Sequence, residues 1–139
     1  MSVTPRQIEL VQTTWEMVVP IADTAADLFY GQLFTIAPQV KPMFPADMAE
    51  QKKKLMMTIT VAVRGLNNLD ALIPVLHKLG AGHTGYGVKD EHYAIVGSAL
   101  LWTLEKGLGE AWTPEVKDAW VAVYTVLADT MKAGAASAA

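Results

Sequence analysis

The chain has 139 residues, of which 52% are hydrophobic, and a formal net charge of −3. A chain of this length is expected to fold as one domain, residues 1–139, around a core that needs no cross-links. The absence of cysteine excludes disulfides and thiolate metal sites, and the slight negative charge gives no electrostatic reason to expect nucleic acid as a partner. We expect a cytoplasmic protein without membrane contact, because the sequence shows neither a signal pattern nor an apolar run of about 20 residues.

The sequence predicts an all-α domain of about seven helices. Thr4-Pro5 and Thr113-Pro114 each offer a threonine that can cap a helix and a proline that suits its first position. Between them, apolar residues recur at intervals of three and four, and no stretch alternates for long with period two.

Proline and glycine mark the expected helix ends. Pro20 is expected to end the first helix, because it removes a backbone donor and clashes with the previous turn. Gly107 and Gly109 are expected to end the helix that Asp90 begins. The small residues 134–139 are expected to fray.

A lysine run lies in the predicted helix over residues 47–65. In isolation, Lys52, Lys53 and Lys54 resemble a nucleic-acid patch. The net negative charge favours a solvated helix face instead.

Residues 79–93, with the sequence LGAGHTGYGVKDEHY, hold the main candidate chemistry. Residues 80–85 match G-x-G-x-x-G, but that motif indicates dinucleotide binding only between a strand and a helix, and no strand is predicted nearby. His83 continues the apolar register of Leu76 and Leu79, so it is expected to point inward. Taken alone, such a histidine is more often a core residue bonded to a backbone carbonyl.

The alternative role for His83 is cofactor binding. No second histidine or carboxylate lies at metal-ligand spacing from it, which argues against zinc and against a carboxylate di-iron site. A single inward histidine suits haem, which supplies the other four nitrogen ligands itself.

Four stretches resemble the single-domain bacterial globins and the globin domain of flavohaemoglobins. They are LFYGQLF (28–34), PQVKPMF (38–44), QKKKLMMTI (51–59) and LGAGHTGYGVKDEHYAIVG (79–97), and the pattern of the last helix follows them. The resemblance implies a globin fold with haem b as cofactor. It also implies dioxygen as a ligand, together with carbon monoxide and nitric oxide.

The resemblance further implies roles for individual residues. His83 falls at the proximal histidine that binds the haem iron. Tyr30 and Gln51 fall at the distal tyrosine and glutamine, which can donate hydrogen bonds to the negative charge that bound dioxygen acquires. The residues expected to pack against haem are Phe44, Leu55, Leu79, Val88, Tyr93 and Val96. Taken singly, several of these residues are more often plain packing or surface residues.

The chain departs from the flavohaemoglobin pattern in two respects. The glutamate that accompanies the proximal histidine and Tyr93 in that family would fall near Ala135, and Asp129 comes about a turn and a half too early. We also expect no reductase domain within 139 residues. Both departures favour an oxygen-holding protein over one that cleaves the O–O bond.

Three functions remain open at this point. The first is reversible, high-affinity oxygen binding for transport or storage, by a monomer or homodimer. The second is a nitric oxide dioxygenase or weak peroxidase that uses a separate reductase. The third is a helical interaction module without haem, whose apolar excess forms a partner interface.

Overall fold

The computed structural model describes residues 3–43, 47–68, 70–76 and 90–138, and within these ranges it contains six α-helices and no β-strand. The helices are α1 (Pro5–Val18), α2 (Ala22–Ile36), α3 (Ala49–Arg64), α4 (70–76), α5 (Asp90–Leu108) and α6 (Pro114–Ala138). Short 3-10 helices cover Val19–Ile21, Pro38–Met43, Gly65–Asn68 and Gly109–Ala111. The predicted all-α class is confirmed. The predicted fraying of residues 134–139 stays a prediction.

The predicted helix starts are confirmed by their hydrogen bonds. At the start of α1, the Gln7 backbone N–H donates to Thr4 Oγ1 at 3.1 Å, and the Thr4 backbone N–H donates to Gln7 Oε1 at 3.0 Å. At the start of α6, the Val116 backbone N–H donates to Thr113 Oγ1 at 3.2 Å. These side chains replace the partners that the first backbone N–H groups of a helix lack.

The prediction for the end of α5 is only half right. The helix continues through Gly107 to Leu108, and Gly109 follows it with φ +55°. A glycine inside a helix costs up to about 1 kcal/mol relative to alanine but does not break the backbone hydrogen bonds. The left-handed conformation of Gly109 does end the helix, and glycine adopts it without steric penalty.

Two tryptophans anchor the core. The rings of Trp15 and Trp120 meet edge to face with centroids 6.0 Å apart, and each residue is 2% exposed. Trp15 Nε1 donates to Thr60 Oγ1 and Trp120 Nε1 donates to Thr14 Oγ1, both at 2.9 Å. Both buried indole N–H groups therefore have hydrogen-bond partners, as burial requires.

Helix α2 positions the side chains of the candidate site. It packs against α5 on one side and α3 on another, while α1 packs against α6. Side chains of α2 and α3 can therefore meet in one pocket. Within the part of the chain that the structure describes, no helix is both long and apolar enough to cross a membrane.

Candidate functional site

Tyr30 and Gln51 meet between α2 and α3. Tyr30 lies on the buried face of α2 and is only 4% exposed. Gln51 lies in the first turn of α3 and is half-buried. The two side chains form a hydrogen bond. The structure thus brings together the two residues predicted to be distal ligand-binding residues.

Burial controls the protonation of Tyr30. Desolvation raises the pKa of its phenol above the ordinary value of 10.0, and the hydrogen bond with Gln51 lowers it by a smaller amount. Burial raises a phenol pKa because it disfavours the phenolate. The hydroxyl therefore keeps its proton, and its capacity to donate a hydrogen bond, throughout the neutral pH range.

Aromatic and aliphatic side chains surround this polar pair. The ring of Tyr30 contacts Phe29 edge to face at 5.0 Å and Phe34 at 5.9 Å. Leu55, one turn beyond Gln51 on α3, lines a small apolar pocket that also contacts Phe29. A hydroxyl and an amide in such surroundings can orient one small polar ligand, because apolar walls strengthen a hydrogen bond.

The residues predicted for the proximal side lie on α5. Tyr93 is 6% exposed, and Val96 is half-buried and packs against the core. The Tyr124 hydroxyl of α6 donates to the Tyr93 backbone oxygen at 2.5 Å, and the Lys132 ammonium lies 5.5 Å from the centre of the Tyr93 ring. Tyr93 also lines an open groove of about 340 Å³ between α5 and α6.

Four predicted site residues lie outside the described residues. They are Phe44, Leu79, His83 and Val88. Their roles, including the role of His83 as iron ligand, stay predictions.

One contact beside the site was not predicted. The Lys52 Nζ lies 2.7 Å from Asp27 Oδ1, so this lysine joins α3 to α2. Lys53 and Lys54 are exposed and the Lys52 side chain is 36% exposed, so the three lysines lie on a solvated face, and Lys52 in addition pairs with Asp27. Its position next to Gln51 was visible in the sequence, whereas the partner on another helix was not.

A helical domain that sets a buried phenol beside a half-buried amide among apolar side chains has the features of a protein that holds a small ligand between its helices. Residues 27–131 match the Globin family profile. The chain therefore belongs to the globin family, and its cofactor is haem. The predicted family, fold and cofactor are confirmed, and the alternative of a haem-free interaction module is removed.

Individual relatives agree with the family assignment. The chain is 33% identical over 129 residues to a flavohemoprotein of Bacillus subtilis (strain 168), an alignment that covers 89% of this chain but only 32% of that longer protein. It is 31% identical over 132 residues to an anaerobic nitrite reductase of Oryza sativa, with 91% of each chain covered. A bacterial globin structure from Campylobacter jejuni superimposes with a TM-score of 0.85 at 28% identity, covering 96% of this chain and 97% of the other.

The described residues fit haem in their chemistry. Of the residues predicted to line the haem site, Tyr30 and Gln51 carry hydrogen-bond donors, and Leu55 and Val96 carry apolar side chains packed against the core. The surroundings of Tyr30 include the buried residues Phe29 and Leu33. A mixed lining of this kind, mostly apolar with a few placed polar groups, is typical of cofactor sites.

Proposed function

We propose that this globin binds dioxygen reversibly and with high affinity, and that Tyr30 and Gln51 hold the ligand. The observation that carries the proposal is the hydrogen bond between the buried Tyr30 side chain and the half-buried Gln51 side chain. It supports a shared role, because two donors that touch each other can both reach one small ligand.

The size of the expected effect follows from hydrogen-bond energies. Haem, when bound, supplies the iron that takes up dioxygen and other diatomic gases. A hydrogen bond to a charged acceptor contributes roughly 1.5–3 kcal/mol, and about 1.4 kcal/mol is a factor of ten. Tyr30 and Gln51 would therefore each slow ligand release by about ten- to one-hundred-fold. Leu55 and Phe44 would keep water away from the same space.

The surroundings of Tyr93 support oxygen holding over O–O cleavage. Strong axial electron donation favours cleavage, and a carboxylate near the proximal histidine strengthens that donation. The side chain over the Tyr93 ring is the cation Lys132, at 5.5 Å. Asp129 lines the same groove but is exposed. We assign His83 as the proximal ligand by resemblance, with Leu79, Val88, Val96 and Phe44 packing against haem.

Absorption spectroscopy and ligand-release kinetics test the proposal. The purified protein, supplemented with haemin, should show a Soret band, and Tyr30→Phe should release dioxygen about ten- to one-hundred-fold faster. Thr35→Val, which removes an exposed hydroxyl from the same helix as Tyr30, is the control and should leave the rate unchanged. An unchanged rate in Tyr30→Phe would overturn the distal assignment. Retention of normal haem coordination in His83→Ala would overturn the proximal one.

The second candidate function is nitric oxide dioxygenation with a separate reductase. The likeness to the longer flavohemoprotein favours it, since the same pocket could serve an electron donor on another chain. Nitric oxide, dioxygen and one electron combine to give nitrate, so each turnover consumes one electron. Nitrate formed over many cycles with a reductase present would support this function. If each protein molecule converts only one nitric oxide to nitrate, reversible oxygen binding is the function that remains.

A further inference from the structure

An ion pair crosses from α3 to α2 beside the distal residues. The Lys52 ammonium lies 2.7 Å from the Asp27 carboxylate. Lys52 directly follows Gln51 on α3, and Asp27 precedes Tyr30 by about one turn on α2. The ion pair and the Tyr30–Gln51 hydrogen bond therefore lie within one helical turn of each other on both helices.

Gln51 lies in the first turn of α3, where a helix has fewer hydrogen bonds of its own. That helix begins at Ala49, and the residue before it, Met48, offers no side-chain cap. Asp47 Oδ1 accepts from the Ala49 backbone N–H at 3.0 Å, which is a local contact and does not reach α2. Terminal turns lack part of the helical hydrogen bonding and open more readily than interior turns.

We propose that Lys52 and Asp27 are positioning residues that hold Gln51 against Tyr30 and thereby slow the release of dioxygen. The inference rests on the proposed function, in which Tyr30 and Gln51 donate hydrogen bonds to the ligand. Lys52 and Asp27 act through the spacing of α2 and α3 and do not touch the ligand. They increase the fraction of molecules in which the Tyr30 and Gln51 donors face the same point.

The partial exposure of the pair sets the size of its effect. The Lys52 side chain is 36% exposed and that of Asp27 is 66% exposed. Pairs this exposed change an equilibrium by roughly two- to five-fold, and salt screens them. A modest effect that fades at high ionic strength is therefore the signature expected of this contact.

The experiment measures dioxygen release from the haem-loaded protein by stopped flow. Lys52→Met and Asp27→Asn should each accelerate release by roughly two- to five-fold at low salt, and the double variant should show no further increase. Lys52→Arg, which can still pair, should behave like the parent. Lys53→Met, an exposed lysine on the same helix, is the matched control and should leave the rate unchanged.

Two further readouts do not depend on the rate of dioxygen release. Amide hydrogen exchange over residues 49–54 should be faster in Lys52→Met than in Lys53→Met, because the first turn of α3 loses its tie to α2. The C–O stretching frequency of the carbon monoxide complex should shift in the same variant, since it reports donation to the ligand. A general loss of stability would instead raise the amide exchange rates throughout the chain.

The outcomes separate this inference from the function on which it rests. If Tyr30→Phe accelerates release but Lys52→Met and Asp27→Asn do not, the positioning role is overturned and the distal assignment stands. Additive effects of Lys52→Met and Asp27→Asn would also overturn it, because partners in one contact cannot act independently. If Tyr30→Phe has no effect, the proposed function itself fails.

Discussion

The Tyr124 hydroxyl donates a hydrogen bond to the backbone oxygen of Tyr93 across 2.5 Å. Its ring lies over Gly97, one turn further along α5, where an added Cβ would come within 2.7 Å of Tyr124 Cε2. A glycine on one helix and a hydroxyl on the next therefore fix how closely α5 and α6 approach. Burial, with a smaller contribution from Tyr93, raises the pKa of Tyr124 far above 10.0.

Alkaline pH should destabilise the protein through Tyr124. The folded chain holds this proton more tightly than the unfolded chain. The stabilisation is therefore complete below about pH 10 and is lost as the pH rises through the folded-state pKa. In Tyr124→Phe, the fall of the unfolding free energy above pH 10 should be smaller by up to about 1.4 kcal/mol per pH unit. Urea unfolding at a series of pH values measures the difference.

The unfolding free energy of Tyr124→Phe at neutral pH gives a second comparison with the parent. There, Tyr124→Phe should be less stable than the parent by about 0.5–1.5 kcal/mol, the net contribution of one hydrogen bond. The two stability curves should therefore approach each other as the pH rises. Parallel curves would contradict the assignment of the buried proton to Tyr124.

Alanine at Gly97 should destabilise the protein by about 1–3 kcal/mol, because its Cβ would force the Tyr124 ring away. Gly31 is the matched control: it also lies within a helix, but an added Cβ there meets nothing within 4 Å. Gly31→Ala should raise stability by up to about 1 kcal/mol through helix propensity. Thermal unfolding of the two variants should show shifts of opposite sign, and a stabilised Gly97→Ala would refute the close contact.

Replacement of Thr14 by valine should cost about 1–3 kcal/mol, because the buried indole N–H of Trp120 loses its acceptor. Thr103 is the matched control. It too is buried and donates to a carbonyl of its own helix, Ala99, at 2.8 Å. Thr103→Val should be nearly neutral by comparison. Chemical denaturation distinguishes the two, and equal losses would show that the indole contact contributes nothing specific.

Replacement of Gln51 by leucine should raise the pKa of Tyr30 further, because the hydrogen bond with Gln51 is the contribution that lowers it. The phenol would then stay neutral to higher pH. Nuclear magnetic resonance titration of ring-labelled tyrosine measures the change. Gln39→Leu, at an exposed glutamine before α3, should leave the Tyr30 pKa where it is in the parent. A lowered Tyr30 pKa in Gln51→Leu would show that the two side chains do not interact as described.

Local features of the fold could be predicted because their causes lie within a few residues. The Thr4–Gln7 capping box and the Thr113 cap depend only on residues three apart. Gly107 was wrongly expected to end α5, because glycine composition alone does not reveal which of two nearby glycines adopts the left-handed conformation.

Features that join separate helices were harder to predict. Nothing in residue spacing indicates that Tyr30 and Gln51 meet, and only the resemblance to globins paired them. The Lys52–Asp27 and Tyr124–Tyr93 contacts escaped prediction because each depends on how two helices cross. Lys52 and Lys53 are neighbouring residues of the same type, and only the packing of α3 against α2 brings Lys52 to Asp27.

The edge-to-face pair of Trp15 and Trp120 gives the chain a built-in optical reporter. Both indoles are buried in one small domain, so haem loaded into that domain would absorb their emission. Fluorescence should therefore be dim in the loaded protein and brighter when haem leaves. Once the half-buried Trp102 and Trp112 are replaced by phenylalanine, the emission of the pair should shift to longer wavelength only when the core opens to water. A single cuvette could thus separate cofactor loss from unfolding, two events that a melting curve merges.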